Sequence, residues 1–305
     1  MINRNAGKFV LTKKNKDRIF ICGMLLIPIL HFLFFYVYVN FDSILLAFRK
    51  PTVGGVDVWT FEHFSRMFNE FRLAGAGEMG KYLANTMIYF FTGLCITFPL
   101  SFFLCYFLYK KIFGYRVYRV IFFLPSIISA SAIAILFKYI IAANGPFGVL
   151  YKSMKGTYIP NLLAHETKTV WVLVFYNVFF GLGGNLVLFS GAMSNIDKGI
   201  IEASKIDGAG MATEMFRIVI PLMWPTMSTV LTFQFIGIFG ASGPLLLLAP
   251  NNANAYSISY WIFNSVRYGA YNYPAAVGLF FTIVGAPIVL FMRWLLSRHV
   301  DDVTM

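Results

Sequence analysis

Two carboxylates five residues apart, Glu202 and Asp207, lie in the run Glu202-Ala203-Ser204-Lys205-Ile206-Asp207-Gly208-Ala209, with Pro221 twelve residues further on and Pro225 after it. Covalent or acid–base catalysis needs a nucleophile and a base within reach of one another, and no such pair stands at matched positions here. The run suits a different chemistry. Ala203, Ser204, Gly208 and Ala209 are small, so another surface can approach closely, and Glu202 and Asp207 offer ionic contacts at its rim. The spacing predicts a short helix beginning near Asp197 or Gly199, with Glu202 in its first turns, where a carboxylate complements the helix N-terminus. Gly208 then permits a turn, and a second short helix leads to Pro221, where the next apolar segment begins. A polar stretch set between two apolar segments reads as a handle for another protein.

Amides set in apolar sequence form the second group. Asn177, Gly181 and Gly184 recur at i, i+4 and i+7, on one face of a helix, with Asn185 beside them. Gln234, Gly237 and Ala241 follow similar spacing further on, with Phe235, Phe239 and Ser242 adjacent. An amide in hydrocarbon is costly without partners. Both faces therefore read either as contacts between helices or as the lining of a solute route. Ser126, Ala130 and Ala134 carry no amide and read as helix contact.

Other motifs carry no chemistry. Gly75-Ala76-Gly77-Glu78-Met79-Gly80-Lys81 satisfies GxGxxG and the first seven positions of a P-loop, but Tyr82 stands where the magnesium-binding Ser or Thr belongs and no strand precedes it. Any ATP used is hydrolysed on another polypeptide. Cys22, Cys95 and Cys105 fall at unrelated heights and suit neither disulfide nor metal pairing. His31, His63, His165 and His299 are scattered, so no metal site and no cofactor is expected.

The elements that must position these residues are membrane helices. The 305 residues are 58% hydrophobic and 12% charged, with a mean hydropathy of +0.70, whereas soluble domains carry about 25% charged residues. Apolar runs long enough to span lie near 19–41, 84–108, 117–142, 169–193, 221–248 and 275–297. Alternating strand-like segments are missing between them, which excludes a β-barrel. The net charge of +12 collects at the ends of the runs rather than on one face, which argues against nucleic acid. Lys and Arg number fifteen in one set of alternate segments and nine in the other, with Lys138 left inside the third run. The positive-inside bias puts both termini and the Glu202 segment in the cytoplasm. The organisation expected is a basic cytoplasmic tail (1–18), a first transmembrane helix (19–41), an extracytoplasmic loop (42–83), five further spans (84–297) with the polar segment 196–220 among them, and a cytoplasmic tail (298–305). The first helix is too long and lacks the cleavage site of a signal peptide. In the outer loop Phe61, Phe64, Phe68 and Phe71 line one face of a short amphipathic helix, expected to float on headgroups or to dock an external partner.

The run from Glu202 to Ala209, with Phe216, Ile220, Pro221 and Pro225, closely resembles the EAA signature of transmembrane permease subunits of binding-protein-dependent ABC importers. Asn85-Thr86, Phe122-Phe123-Leu124-Pro125 and Gly191-Ala192-Met193-Ser194-Asn195-Ile196 are similar to stretches of the carbohydrate (maltose-type) branch, and a single leading helix with a long outer loop looks like the first of its two permeases. The resemblance covers roughly residues 80 to 297. Ser204 replaces the usual second Ala, and Leu248-Ala249-Pro250-Asn251-Asn252 stands where many relatives have Thr-Gly-Gly-Pro.

The resemblance implies an all-α integral membrane protein: six transmembrane helices in the type I importer fold, five forming a core and one wrapped around it, with a cytoplasmic coupling helix. It implies a second permease subunit, two cytoplasmic ATPase subunits and an extracytoplasmic solute-binding protein in a bacterial inner or plasma membrane, moving a sugar or oligosaccharide. A glycerol-phosphate-type solute is the alternative, although no Arg is embedded to hold a phosphate. A stand-alone secondary transporter needs inverted repeats and embedded acidic residues, and the runs contain almost no Asp or Glu. A DNA-reading helix-turn-helix lodged between two spans cannot reach a groove.

Overall fold

The computed structural model describes residues 13–51, 57–72, 77–240 and 242–298. Most of both tails, Gly75, Ala76, Ala241 and His299 therefore lie outside the described residues. Helix α1 runs over 13–47, with Phe32–Tyr38 wound as a π-helix. A two-stranded antiparallel hairpin follows, β1 (Arg49–Pro51) and β2 (Asp57–Trp59), with Lys50 opposite Val58. Then come α2 (Glu62–Arg72), α3 (Glu78–Tyr109, π-helical over Gly93–Thr97), α4 (Tyr115–Ile127), α5 (Ala130–Ile141), α6 (Pro146–Lys155), α7 (Lys168–Ser194) and α8 (Lys198–Ile206). The last four helices are α9 (Met211–Ile236), α10 (Leu245–Leu248), α11 (Ile258–Arg267) and α12 (Asn272–Ser297).

Six helical segments among the described residues are long and apolar enough to cross a membrane, Phe20–Ala47, Glu78–Tyr109, Ala130–Lys155, Lys168–Ser194, Met211–Ile236 and Asn272–Ser297. The all-α class and the number of crossings are as expected. Two spans differ in detail. The expected third span, 117–142, is broken: α4 ends before Ile128 and Ser129, both in extended ψ, and α5 starts afresh. The expected fifth span, 221–248, is displaced towards the N-terminus. Instead of a short helix meeting a span at Pro221, one helix runs from Met211 through Pro221 to Ile236. Pro221 has no N–H to offer the carbonyl four residues back, and the wider π turn over Met215–Val219 directly before it absorbs the irregularity. At the other end Gly237, Gly240, Gly243 and Pro244 stop the helix inside an apolar stretch.

α7 is the central post, packed on α3, α4 and α9. α12 packs on α9, α11, α2 and the end of α1. Most of α1 faces outwards, and only its last turn, with Ala47 fully buried, joins the body. Two cores fill the interior, one at each end. The first joins Met67, Tyr82, Tyr89, Phe137, Leu173 and Phe281, and the second joins Phe102, Tyr106, Phe189, Ile201, Met215 and Met223. α2 packs on this body instead of floating free of it. Met67 is fully buried, Phe68 and Phe71 meet Phe280 and Phe281 edge-on at 5.4 and 6.1 Å, and Tyr273 donates to Glu70 at 2.6 Å. Beside it Lys50 lies 2.5 Å from Glu62 and holds that carboxyl below its ordinary pKa.

Candidate functional site

At one end of the bundle α8 is defined by its caps. The Asp197 side chain accepts from the Gly199 N–H at 2.8 Å, which makes it the N-cap. Glu202 sits a turn further in and is exposed, so the terminal carboxylate is Asp197 and not Glu202. After Ile206 the chain closes a Schellman turn. Gly208 N–H donates to Lys205 O at 3.1 Å and Ala209 N–H to Ser204 O at 2.9 Å. Gly208 carries φ +77°, a conformation that disfavours any residue with a Cβ.

The helix has two faces. Ile201 and Ser204 are buried against the bundle, and the Ser204 hydroxyl donates to Ile201 O at 2.9 Å, so the departure from Ala is accommodated within the helix. Glu202, Ala203, Lys205, Asp207 and Gly208 face outwards, Ala209 is half-buried, and Ile206 is 86% exposed. The sequence reading missed Ile206. An isolated apolar residue two positions from the inward Ser204 was its only signal.

Just beyond α8 in the chain, a buried cluster that the sequence reading also missed joins α9 to the end of α3. Glu214, in the first turn of α9, is 2% exposed; Lys110 Nζ is 2.5 Å from its carboxylate, and the Tyr106 hydroxyl is 3.3 Å away. Tyr106 OH also lies 3.2 Å from Met211 O. The partners are more than a hundred residues apart in sequence, and no local pattern links them.

Mid-bundle, a cavity of about 970 Å³ opens between the broken third crossing, α7, the residues Ser242, Gly243 and Pro244, and α11. Asn177, Gly181 and Gly184 line it, along with Ser131, Ser242, Ser259, Tyr260 and Phe263. None of its lining residues carries a charge. Asn177 stands against Gly243, where an added Cβ would lie 2.9 Å from Nδ2. Asn185 is half-buried and outside the lining. The second group goes elsewhere. Gln234 points its Oε1 at Gly93 of α3, 3.1 Å from where a Cβ would stand, and Phe235 meets Phe90 edge-on at 5.4 Å. Gly237 caps α9, so the expected helical face does not continue through it. Phe239 turns onto Phe281 at 4.7 Å and lines a separate cavity of about 570 Å³. Asn177 and Gln234 thus do not share a cavity. Ser126 lines the central one and also touches α7, where a Cβ on Gly183 would come within 2.7 Å of the Ser126 Cβ.

The cavity wall is held from outside by one hydrogen-bonded loop. Asn85 donates to Asn254 O and Tyr256 O at 2.8 and 3.0 Å, Tyr89 to Ala255 O at 3.0 Å, and the Thr86 hydroxyl accepts from Ile258 N–H at 3.0 Å. Asn252 donates to Leu163 O, His165 O and Thr169. Lys81 of the P-loop-like run donates to Asn254 at 2.9 Å from within α3, where it serves as a strut and not as a phosphate ligand.

Six apolar crossings around an uncharged, hydroxyl-lined cavity, with a two-faced helix held out at one end, define a multi-span membrane permease. Residues 97–303 match the family described as binding-protein-dependent transport system inner membrane component, and the chain belongs to that family. It is 24% identical over 268 residues to the arabinooligosaccharides transport system permease protein AraP of Bacillus subtilis, covering 84% of this chain and 82% of that one. It is 26% identical over 291 residues to the polygalacturonan/rhamnogalacturonan transport system permease protein YteP of the same organism, covering 92% and 88%. Its fold is similar to a chain of a bacterial ABC transporter involved in the import of the acidic polysaccharide alginate, with a TM-score of 0.79 and 22% identity over 94% of this chain and 98% of that one.

Proposed function

We propose that this chain is the permease subunit of an ATP-driven importer that carries a neutral sugar or oligosaccharide, delivered by an extracytoplasmic solute-binding protein, across a bacterial plasma membrane. It works beside a second permease. ATP is hydrolysed on two separate cytoplasmic subunits that dock on the outward face of α8. The observation that carries the reading is the division of α8 into a buried Ile201–Ser204 side and a free side bearing Glu202, Ala203, Ile206, Asp207 and Gly208. A partner that binds this face more tightly in one state of the transporter than in the other biases the equilibrium between them, so nucleotide binding drives alternating access to the cavity.

The cavity supports the choice of solute. Its size is within the roughly 300–1,000 Å³ of small-molecule sites, Tyr260 and Phe263 offer ring faces, and Asn177 with the serines offers hydroxyl partners. No cation lines it to hold a phosphate or uronate, which favours a neutral sugar over a glycerol-phosphate-type solute. Both termini and 194–220 face the cytoplasm in this reading, and 42–83 and 249–274 face outwards.

Replacing Glu202 by Lys or Gly208 by Val tests the docking. Each variant is expected to remain in the membrane, to lose recovery of the ATPase subunits in detergent pull-downs and to lose uptake. Full ATPase recovery together with normal uptake in both variants sinks the proposal.

A further inference from the structure

We propose that Tyr106, Lys110 and Glu214 are positioning residues that tie the coupling segment to α3, so that α3 carries its movement to the loop at the far end of the molecule. This rests on the docking role proposed for α8. Only the turn 207–210 separates α8 from α9, and Glu214 lies in the first turn beyond it. The carboxylate is held from both sides: it complements the N-terminus of its own helix, and it is paired with Lys110 at 2.5 Å across to the end of α3. The fully buried Tyr106 places its hydroxyl between Glu214, at 3.3 Å, and Met211 O, at 3.2 Å.

Such a cluster is a poor way to gain stability. Both charges surrender their water, and apolar residues of the same volume often serve as well or better. What directed hydrogen bonds supply is one fixed register between α3 and α9. From that point α3 runs as a single helix of 32 residues. Its other end bears Asn85, Thr86 and Tyr89, which grip Asn254–Ile258 through four hydrogen bonds. Ile258 opens α11, whose Ser259 and Tyr260 line the central cavity. A displacement of α8 therefore has a continuous path of fixed contacts to the cavity wall and to the opposite surface.

The test uses the assembled transporter in proteoliposomes, with native cysteines replaced and the exposed Ala253 changed to Cys as a reporter. A membrane-impermeant maleimide is the probe. With Tyr106, Lys110 and Glu214 intact, trapping the ATPases with ATP and vanadate is expected to change the labelling rate at Ala253→Cys several-fold. In Glu214→Gln and Lys110→Met the rate is expected to become insensitive to trapping, while complexes still assemble and hydrolyse ATP. The exchanged pair Lys110→Glu with Glu214→Lys is expected to restore part of the response. A response per assembled complex equal to that of the parent overturns the proposal, even if yield or melting temperature falls. Should Glu214→Gln fail to assemble, Tyr106→Phe, which removes only the hydroxyl, carries the same test: a weakened response supports the tie and an unchanged one overturns it. Failure of the docking role itself is distinguished because Glu202→Lys then keeps its ATPase subunits.

Discussion

Gly243 meets two demands at once. Its φ of +52° is one that L-residues avoid, and Asn177 occupies the space a Cβ would need. Gly243→Ala is expected to cost about 1–2 kcal/mol from backbone strain alone, read as a lower melting temperature of the purified complex. The clash with Asn177 adds to this loss, and the added part is expected to vanish in the Asn177→Ala background while the backbone strain stays. Asn177 and Gln234 make opposite predictions. A sugar hydroxyl bonded to the Asn177 amide is worth about 0.5–1.5 kcal/mol net, so Asn177→Ala is expected to slow uptake several-fold and to alter the preference between two competing neutral oligosaccharides. Gln234→Ala, facing Gly93 on a neighbouring helix, is expected to lower complex yield and leave preference unchanged. An altered preference in Gln234→Ala, with none in Asn177→Ala, contradicts both assignments.

Elements differ in how far their residues announce them. α8 is legible because its boundaries are local: Asp197 caps it, Gly208 turns it, and both signals lie within the segment. The Asn85-Thr86 pair is legible only as a motif, and its physical task becomes clear from the four carbonyl and amide groups of the 254–258 loop that α3 satisfies. The break after Ile127 and the turn after Ile236 were not read from the spans. Their local breakers, Pro125, Ser126 and Ser129 in one and Gly237, Gly240, Gly243 and Pro244 in the other, sit in runs of high hydropathy, and hydropathy reports the solvent a residue tolerates, not whether the backbone beneath it is helical. Non-helical backbone at membrane depth is tolerated only where protein or a water-filled cavity surrounds it, and both breaks border the central cavity. Two measurements address this scale. Asp197→Ala is expected to cost about 0.5–2 kcal/mol of helix stability and to reduce recovery of the ATPase subunits. Asn85→Ala leaves the buried Tyr256 carbonyl and the part-buried Asn254 carbonyl without their donor, at about 1–3 kcal/mol for the buried one, and hydrogen exchange over 254–258 is expected to accelerate while that of α8 does not change.

The whole molecule follows from charge and apolar length. Fifteen basic residues against nine favour the orientation proposed above, in which a cysteine at position 198 is expected to resist an impermeant reagent in intact cells while one at the exposed Val58 reacts. Labelling at 198 reverses the topology. Cys22 and Cys95 are exposed on the bundle, so both are replaced first. The all-α class, the number of crossings and a short helix after Asp197 were readable from composition and spacing, whereas the pairing of Lys110 with Glu214 was not, because it joins the ends of different crossings.

The first helix has a consequence of its own. Its helical segment Phe20–Ala47 is 28 residues long, and no part of its most apolar window is buried within the chain. At 1.5 Å per residue that is roughly 42 Å, against a hydrocarbon thickness of about 30 Å. Asn40 and Asp42 put its last turns at the edge of the apolar part, so the helix meets lipid along its whole apolar length and its lean follows the thickness of the bilayer. Since its last turn is fixed to α12, its lean is conveyed to the body at that one joint. Transport by this protein should therefore depend on acyl-chain length, running differently in vesicles of short-chain and long-chain lipid, as though the surrounding bilayer were itself an effector.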